Sequence, residues 1–162
     1  MDYETLDETE WEKVGKIWDH LDEGRLEAAR LELAGLTKAR PGHPDLRIVE
    51  AAVALEESEP KVALDALSGA ERSADPAVFF HLRATAHYEL ARFEAARDDA
   101  DRALSIRPDM SDAHDVMSRA LEHLGDADGA REHAEEAADL EPENFPLPLE
   151  VADDEFDAVV AA

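Results

Sequence analysis

"ARFEAARDDADRALSIRPD" (Ala91–Asp109) and "GDADGAREHAEEAADLEPE" (Gly125–Glu143) superpose without a gap at a spacing of 34 residues. Ala96, Ala100, Ala103 and Pro108 fall on Ala130, Ala134, Ala137 and Pro142, and Ile106 falls on Leu140. Working outward, "GRLEAARLELAGLTKARPG" (Gly24–Gly42) supplies Ala29, Leu33, Leu36 and Pro41 in the same phase. "EPKVALDALSGAERSADP" (Glu59–Pro76) supplies Ala63, Leu67 and Ala70, 34 residues after the first set. The step from Ala63 to Ala96 is 33. Four units follow, at about 10–43, 44–76, 77–110 and 111–144. A fixed period of this length is the signature of stacked supersecondary units.

Each unit holds two segments with apolar residues at i, i+3 and i+4, which is helical spacing. The segments are separated by the short turns "DEGR", "SEP", "LAR" and "GDAD". Pro41, Pro76, Pro108 and Pro142 are expected to stop the second helix of each unit and set up the next. The pattern therefore predicts an all-α, helix–turn–helix solenoid. One helix pair cannot bury its apolar face alone, whereas four stacked pairs can.

The units resemble tetratricopeptide repeats, whose members share small residues where the paired helices touch, a Gly before the turn and a late Pro. Here the facing pairs are Ala51 with Ala63, Ala84 with Ala96, and Ser118 with Ala130, while Ile17 faces Ala29. Gly24 and Gly125 hold the turn position, which Ala91 takes in the third unit. The resemblance spans 10–144 and implies a right-handed solenoid whose first helices line a concave groove. "WEKVGKIW" (Trp11–Trp18) also fits the family's W-x-x-L-G-x-x-Y pattern. That second register needs two inserted residues before Gly24 and turns Trp11 and Trp18 into the helix interface, so the gap-free register is preferred.

Composition agrees with helices and limits partners. Apolar residues make up 44% of the chain and aromatics 6%, a helix-favouring balance with enough apolar surface for a core. The formal net charge is −25, from 41 acids and 16 bases. A field of that sign repels phosphate backbones and anionic lipid surfaces. Neither nucleic acid nor membrane is therefore an expected partner. The plainest role of the acids is solubility on solvated helix faces. With no cysteine in the chain, disulfides, thiolate metal sites and Cys nucleophiles are excluded. The acidic start "MDYETLDETEW" has no basic n-region or apolar core, and no apolar run reaches membrane length. A cytoplasmic location is the expectation.

Motifs for catalysis are missing. There is no glycine-rich phosphate loop, no G-x-S-x-G and no H-E-x-x-H. The seven histidines never stand three or four apart, so no helix face offers a His pair to zinc. "GDADGAREHAEE" puts Arg131 where a calcium loop needs glycine, so it reads as a turn. "DDAD" (Asp98–Asp101) reads as a solvated helix face close to Arg97 and Arg102. No enzyme activity and no cofactor are expected.

Binding is what the resemblance implies. Groove positions would be Trp11, Val14, Trp18 and Leu21, then Asp45, Ile48, Ala52 and Leu55. They continue as Val78, His81, Thr85 and Tyr88, then Asp112, Asp115, Arg119 and Glu122. For Ile48, Ala52 and Leu55, inter-repeat packing outweighs ligand contact. The expected partner is a protein or peptide with apolar and basic character. Relatives that grip C-terminal carboxylates use Lys, Arg and Asn, but here the equivalent positions hold Val14, Trp18, Ile48, His81 and Asp115. Arg119 is the one base, so such a clamp is not expected. Self-association through an open solenoid end is a further expectation.

The C-terminal stretch "FPLPLEVADDEFDAVVAA" (Phe145–Ala162) reads as an extended Pro-containing linker and then a helix from Asp153, capping the repeats or opening a further domain. It resembles the opening of a zincin-like metallopeptidase family. That resemblance implies an alternative, in which 1–144 is an accessory domain positioning substrate for a catalytic part absent from this chain.

Overall fold

The computed structural model describes residues 4–141. The calls on Pro142, the linker, the helix from Asp153 and the metallopeptidase-like opening lie outside them. Eight helices follow in order: α1 (Glu8–Asp22), α2 (Leu26–Ala39), α3 (Pro44–Glu56), α4 (Pro60–Leu67), α5 (Pro76–Glu89), α6 (Phe93–Ile106), α7 (Ser111–Leu124) and α8 (Ala127–Leu140). There is no strand among the described residues. The chain is a four-unit helical-repeat solenoid.

Local chemistry sets the helix starts. Asp7 and Glu10 form a reciprocal capping box on α1, satisfying donors that have no partner within the helix. Pro44, Pro60 and Pro76 occupy the first turns of α3, α4 and α5, where a missing N–H costs nothing. Asp75 and Asp126 cap α5 and α8 by accepting from the Val78 and Gly129 amides.

The turns inside the units carry the repeat in the backbone. Gly24, Ser58, Ala91 and Gly125 all have left-handed φ, at 69°, 58°, 55° and 85°. After each, an amide returns to the carbonyl five residues back: Arg25 to His20, Glu59 to Ala54, Arg92 to His87 and Asp126 to Leu121. That bond closes a helix in the Schellman manner. Gly24 falls in step with the other three, so the first unit adopts the gap-free register. Ile17 and Ala29 are both fully buried, and Trp11 stays 42% exposed.

The first helices form a continuous inner layer, since α1 touches α3, α3 touches α5, and α5 touches α7. The second helices touch only the helices before and after them. This asymmetry makes the first-helix side the closely packed one. Small residues set the approach within each pair. Ala29, Ala51, Ala63, Ala84 and Ala96 have no exposed surface, and Ala130 has 6%. Close approach lets larger neighbours interdigitate. Ile17, Leu33, Leu46, Val49, Leu55, Leu67, Phe79 and Leu82 build the main core across units one to three.

A polar clasp joins the start of each first helix to the end of its partner or, in unit two, to the loop after it. Arg40 Nε donates to Glu10 Oε1 at 2.8 Å, and the Ala74 amide donates to Asp45 Oδ1 at 2.6 Å. Arg107 Nη2 donates to Asp75 Oδ2 at 2.7 Å, and Ser111 Oγ donates to Glu141 Oε1 at 2.7 Å. The four clasps stand at equivalent places but use different residue types.

Two expectations need correction, and one aligned pair differs in burial. Pro76 does not stop the second helix of unit two: α4 ends at Leu67, before Gly69, and Pro76 opens α5. Asp99 is not on a solvated face. It is 4% exposed and accepts from Arg83 Nε and Nη2 at 2.7 and 2.8 Å. Burying a carboxylate requires such a partner. Finally, Ala100 is fully buried but its counterpart Ala134 is half-buried, because no described helix packs beyond α8.

Candidate binding groove

The inner layer brings Trp11, Val14, Trp18 and Ile48 of the expected groove together. Trp11, Val14 and Trp18 of α1 meet Asp45, Ile48 and Val49 of α3 and Asp75 and Val78 at α5. They line a cavity of about 130 Å³. Helical spacing explains the convergence, because positions 11, 14 and 18 share one face of α1. Val14, Ile48 and Val49 are buried and form the floor, while Trp11 is the exposed rim. Both tryptophans of the chain line this cavity. Val49 and Asp75 are part of the lining although the groove spacing did not include them. Asp45 and Asp75 are already engaged by the Ala74 amide and by Arg107.

His81, Thr85, Tyr88, Asp115 and Arg119 form a polar stretch between α5 and α7. Arg119 Nη1 donates to Asp115 Oδ2 at 3.1 Å, and its guanidinium lies 4.4 Å from the Tyr88 ring centroid. Burial works against the Arg119 charge, but the bonds to Asp115 and Tyr88 hold its pKa above the ordinary range. The one basic groove side chain is therefore occupied. Tyr88 Oη lies 3.3 Å from His123 Nε2, and His123 stacks on Phe93 at 4.1 Å with a 3° interplanar angle. Phe93 and His123 were not among the expected groove residues. Helix-end aromatics from three elements meet there only through the fold.

Thr85 Oγ1 donates to the His81 carbonyl at 3.1 Å. The His81 Nδ1 atom is buried with no hydrogen-bond partner. Burial pushes the His81 pKa below its ordinary value, and Asp112 and Asp115 pull against that. Near the same stretch, burial raises the Glu89 carboxyl, Glu56 adds to the rise and Arg119 opposes it. Among the described residues no cluster of His, Cys, Asp or Glu is arranged to hold a metal ion. No helix among them is long and apolar enough to cross a membrane.

Two interior polar networks lie behind the groove. One is Asp99 with Arg83, joined by His87 Nε2 at 3.8 Å and Arg102 at 3.5 Å. In the other, His114 Nε2 donates to the Pro108 carbonyl at 2.8 Å. His114 Nδ1 must then accept the 2.8 Å bond from His133 Nδ1–H, because a neutral imidazole carries one proton. Sequence offered a signal for the first network. Lys16 and Glu32 hold the positions equivalent to Arg83 and Asp99, and Glu32 acts on the Lys16 charge.

Helix pairs in register, left-handed turn residues and an inner layer of first helices define the tetratricopeptide-repeat fold, and the chain has it. Solved structures of that fold are similar over most of its length. TTC0263, a thermophilic TPR protein of Thermus thermophilus, matches with a TM-score of 0.70 at 19% identity, over 82% of this chain and 75% of that one. Pseudomonas aeruginosa pilF matches at 0.68 and 22%, over 84% and 63%. MamA of Desulfovibrio magneticus RS-1 matches at 0.63 and 20%, over 82% and 76%. No family profile matches the sequence, and no curated protein sequence matches it.

Proposed function

We propose that the chain is a protein-interaction module that holds a peptide or protein segment in the concave groove. The observation that carries this is the cavity where Trp11, Val14, Trp18 and Ile48 converge on α3 and α5. An apolar recess with an exposed aromatic rim suits one anchoring side chain of an extended or helical partner. A carboxylate clamp is disfavoured, because Arg119 is already paired with Asp115. The accessory-domain alternative rests on the C-terminal resemblance, and no described residue favours it.

Tryptophan fluorescence is the natural readout, since both tryptophans line the cavity. Peptides selected on the chain from a random displayed library should shift that emission on titration. Trp11→Ala should weaken binding by about tenfold while leaving the fold intact, because Trp11 is 42% exposed. Selected peptides that bind Trp11→Ala as well as the parent chain would rule out this groove.

A further inference from the structure

Two carboxylates, Asp45 and Asp75, stand in the wall of the otherwise apolar α1–α3–α5 cavity. An unpaired charge there would oppose an apolar guest, because the guest would strip water from it. Asp45 Oδ1 accepts from the Ala74 amide at 2.6 Å. Asp75 divides its two oxygens. Oδ1 accepts from the Val78 amide at 3.2 Å as the cap of α5, and Oδ2 accepts from Arg107 Nη2 at 2.7 Å. The cap fixes where the carboxylate sits, and Arg107 supplies its counter-charge.

Arg107 itself does not line the cavity. It is the residue that closes α6, and its side chain reaches back to the start of the same unit. The matching clasp of unit one joins Arg40 to Glu10, and Glu10 is outside the cavity lining. The clasps of units two and three each put their acid in the wall. Asp45 is held by a backbone amide, whereas Asp75 is paired with a cationic side chain. Both side chains of that pair are 43% exposed, and an exposed ion pair adds little to stability. Its weight falls instead on what the cavity admits. Specificity is a difference of affinities, and an unpaired charge rejects an apolar guest while it attracts a basic one.

We propose that the cavity takes an uncharged apolar anchor of the partner, and that Arg107 is the positioning residue that sets this choice by neutralising Asp75. The inference rests on the groove reading above and adds the anchor's chemistry and the residue that controls it. The cavity volume of about 130 Å³ is close to the roughly 150 Å³ that accepts benzene, so the anchor is a Leu-, Met- or Phe-sized group. Without Arg107, Asp75 is still held by the cap of α5, but its Oδ2 has lost its counter-charge. A Lys or Arg anchor then takes the place of the guanidinium.

The test is selection from a random displayed peptide library on the full parent chain and, separately, on Arg107→Gln. Peptides selected on the parent should share one aliphatic or aromatic anchor. Arg107→Gln should bind them about fivefold more weakly, the scale of one exposed charge pair. Selection on Arg107→Gln should instead enrich Lys or Arg at the anchor position. The double variant Asp75→Asn/Arg107→Gln keeps a capping side chain. It should bind the parent's peptides within about twofold of the original affinity, a rescue that a merely loosened third unit would not give. Charged anchors selected on the parent, unchanged affinity and anchor preference in Arg107→Gln, or no rescue in the double variant would each overturn the proposal, while Trp11 dependence keeps the groove reading. A library that yields no peptide sensitive to Trp11→Ala would overturn both.

Discussion

Ala91 and Ser58 hold a backbone conformation that suits glycine. A left-handed φ costs an L-residue with a Cβ about 1–2 kcal/mol. Glycine gives back part of that as unfolded-state entropy, roughly 0.5–1 kcal/mol. Ala91→Gly should therefore stabilise the chain by about 0.5–1 kcal/mol, raising the thermal midpoint by about 1–4 °C. Gly24→Ala should lower it by a similar amount. Equal midpoints for Ala91→Gly and the parent would show that the turn bears no strain. Asp99 is the residue of opposite kind, a buried charge held by Arg83. Asp99→Asn removes the charge and leaves a half-buried guanidinium without its partner. A loss of about 2–3 kcal/mol in denaturant unfolding is expected, and a loss under about 0.5 kcal/mol would refute the pairing's importance.

At the scale of the element, equivalent positions are not equivalent in burial. Ala100 of α6 is sealed between its neighbours, whereas Ala134 of α8 faces the open end of the described solenoid. Ala100→Glu forces both volume and charge into a closed interface and should cost more than about 3 kcal/mol. Ala134→Glu can turn its carboxylate outward and should cost about 1 kcal/mol or less. Thermal melts of the two variants compare them directly, and equal losses would mean that α8 is covered as α6 is. The second unit shows another inequality. α4 has 8 residues where α2, α6 and α8 have 14, because Gly69 follows its last apolar turn. Fewer interface residues make α4 the second helix that opens most readily. Amide exchange in α4 should run ahead of that in α6.

For the whole molecule, three histidines set the acid response. Burial lowers the pKa of His81, His87 and His133. Each is neutral in both states well above pH 6.5, so its full contribution to stability is present there. As pH falls below 6.5 the unfolded chain takes up protons first, and stability declines until the folded-state pKa is passed. All three belong to α5–α8, so the C-terminal half should be the part that loosens. Denaturant midpoints should fall between about pH 7.5 and pH 5.5, and the fall should shrink in His87→Gln. A midpoint that stays constant or rises over that window would contradict the burial of these rings.

The sequence by itself determined the number of units, their phase, the helix pairs and the small residues at their interfaces. It also placed Trp11, Val14, Trp18 and Ile48 on one wall. These follow from 3.6-residue periodicity and turn chemistry, which act over a few residues, and from a repeat in which each unit packs only on its neighbours. Gly24 and Gly125 marked the turns, and alignment alone carried that reading to Ala91. The tertiary structure decided where polar groups find partners. One site in the second helix holds Glu32, Ala66, Asp99 and His133 in the four units. The same backbone position is half-buried, apolar, an ion pair to Arg83 and a hydrogen bond to His114. Apolar packing is fixed by spacing and size, which repeat. A buried polar group is fixed by one particular partner on another helix, and those partners differ from unit to unit.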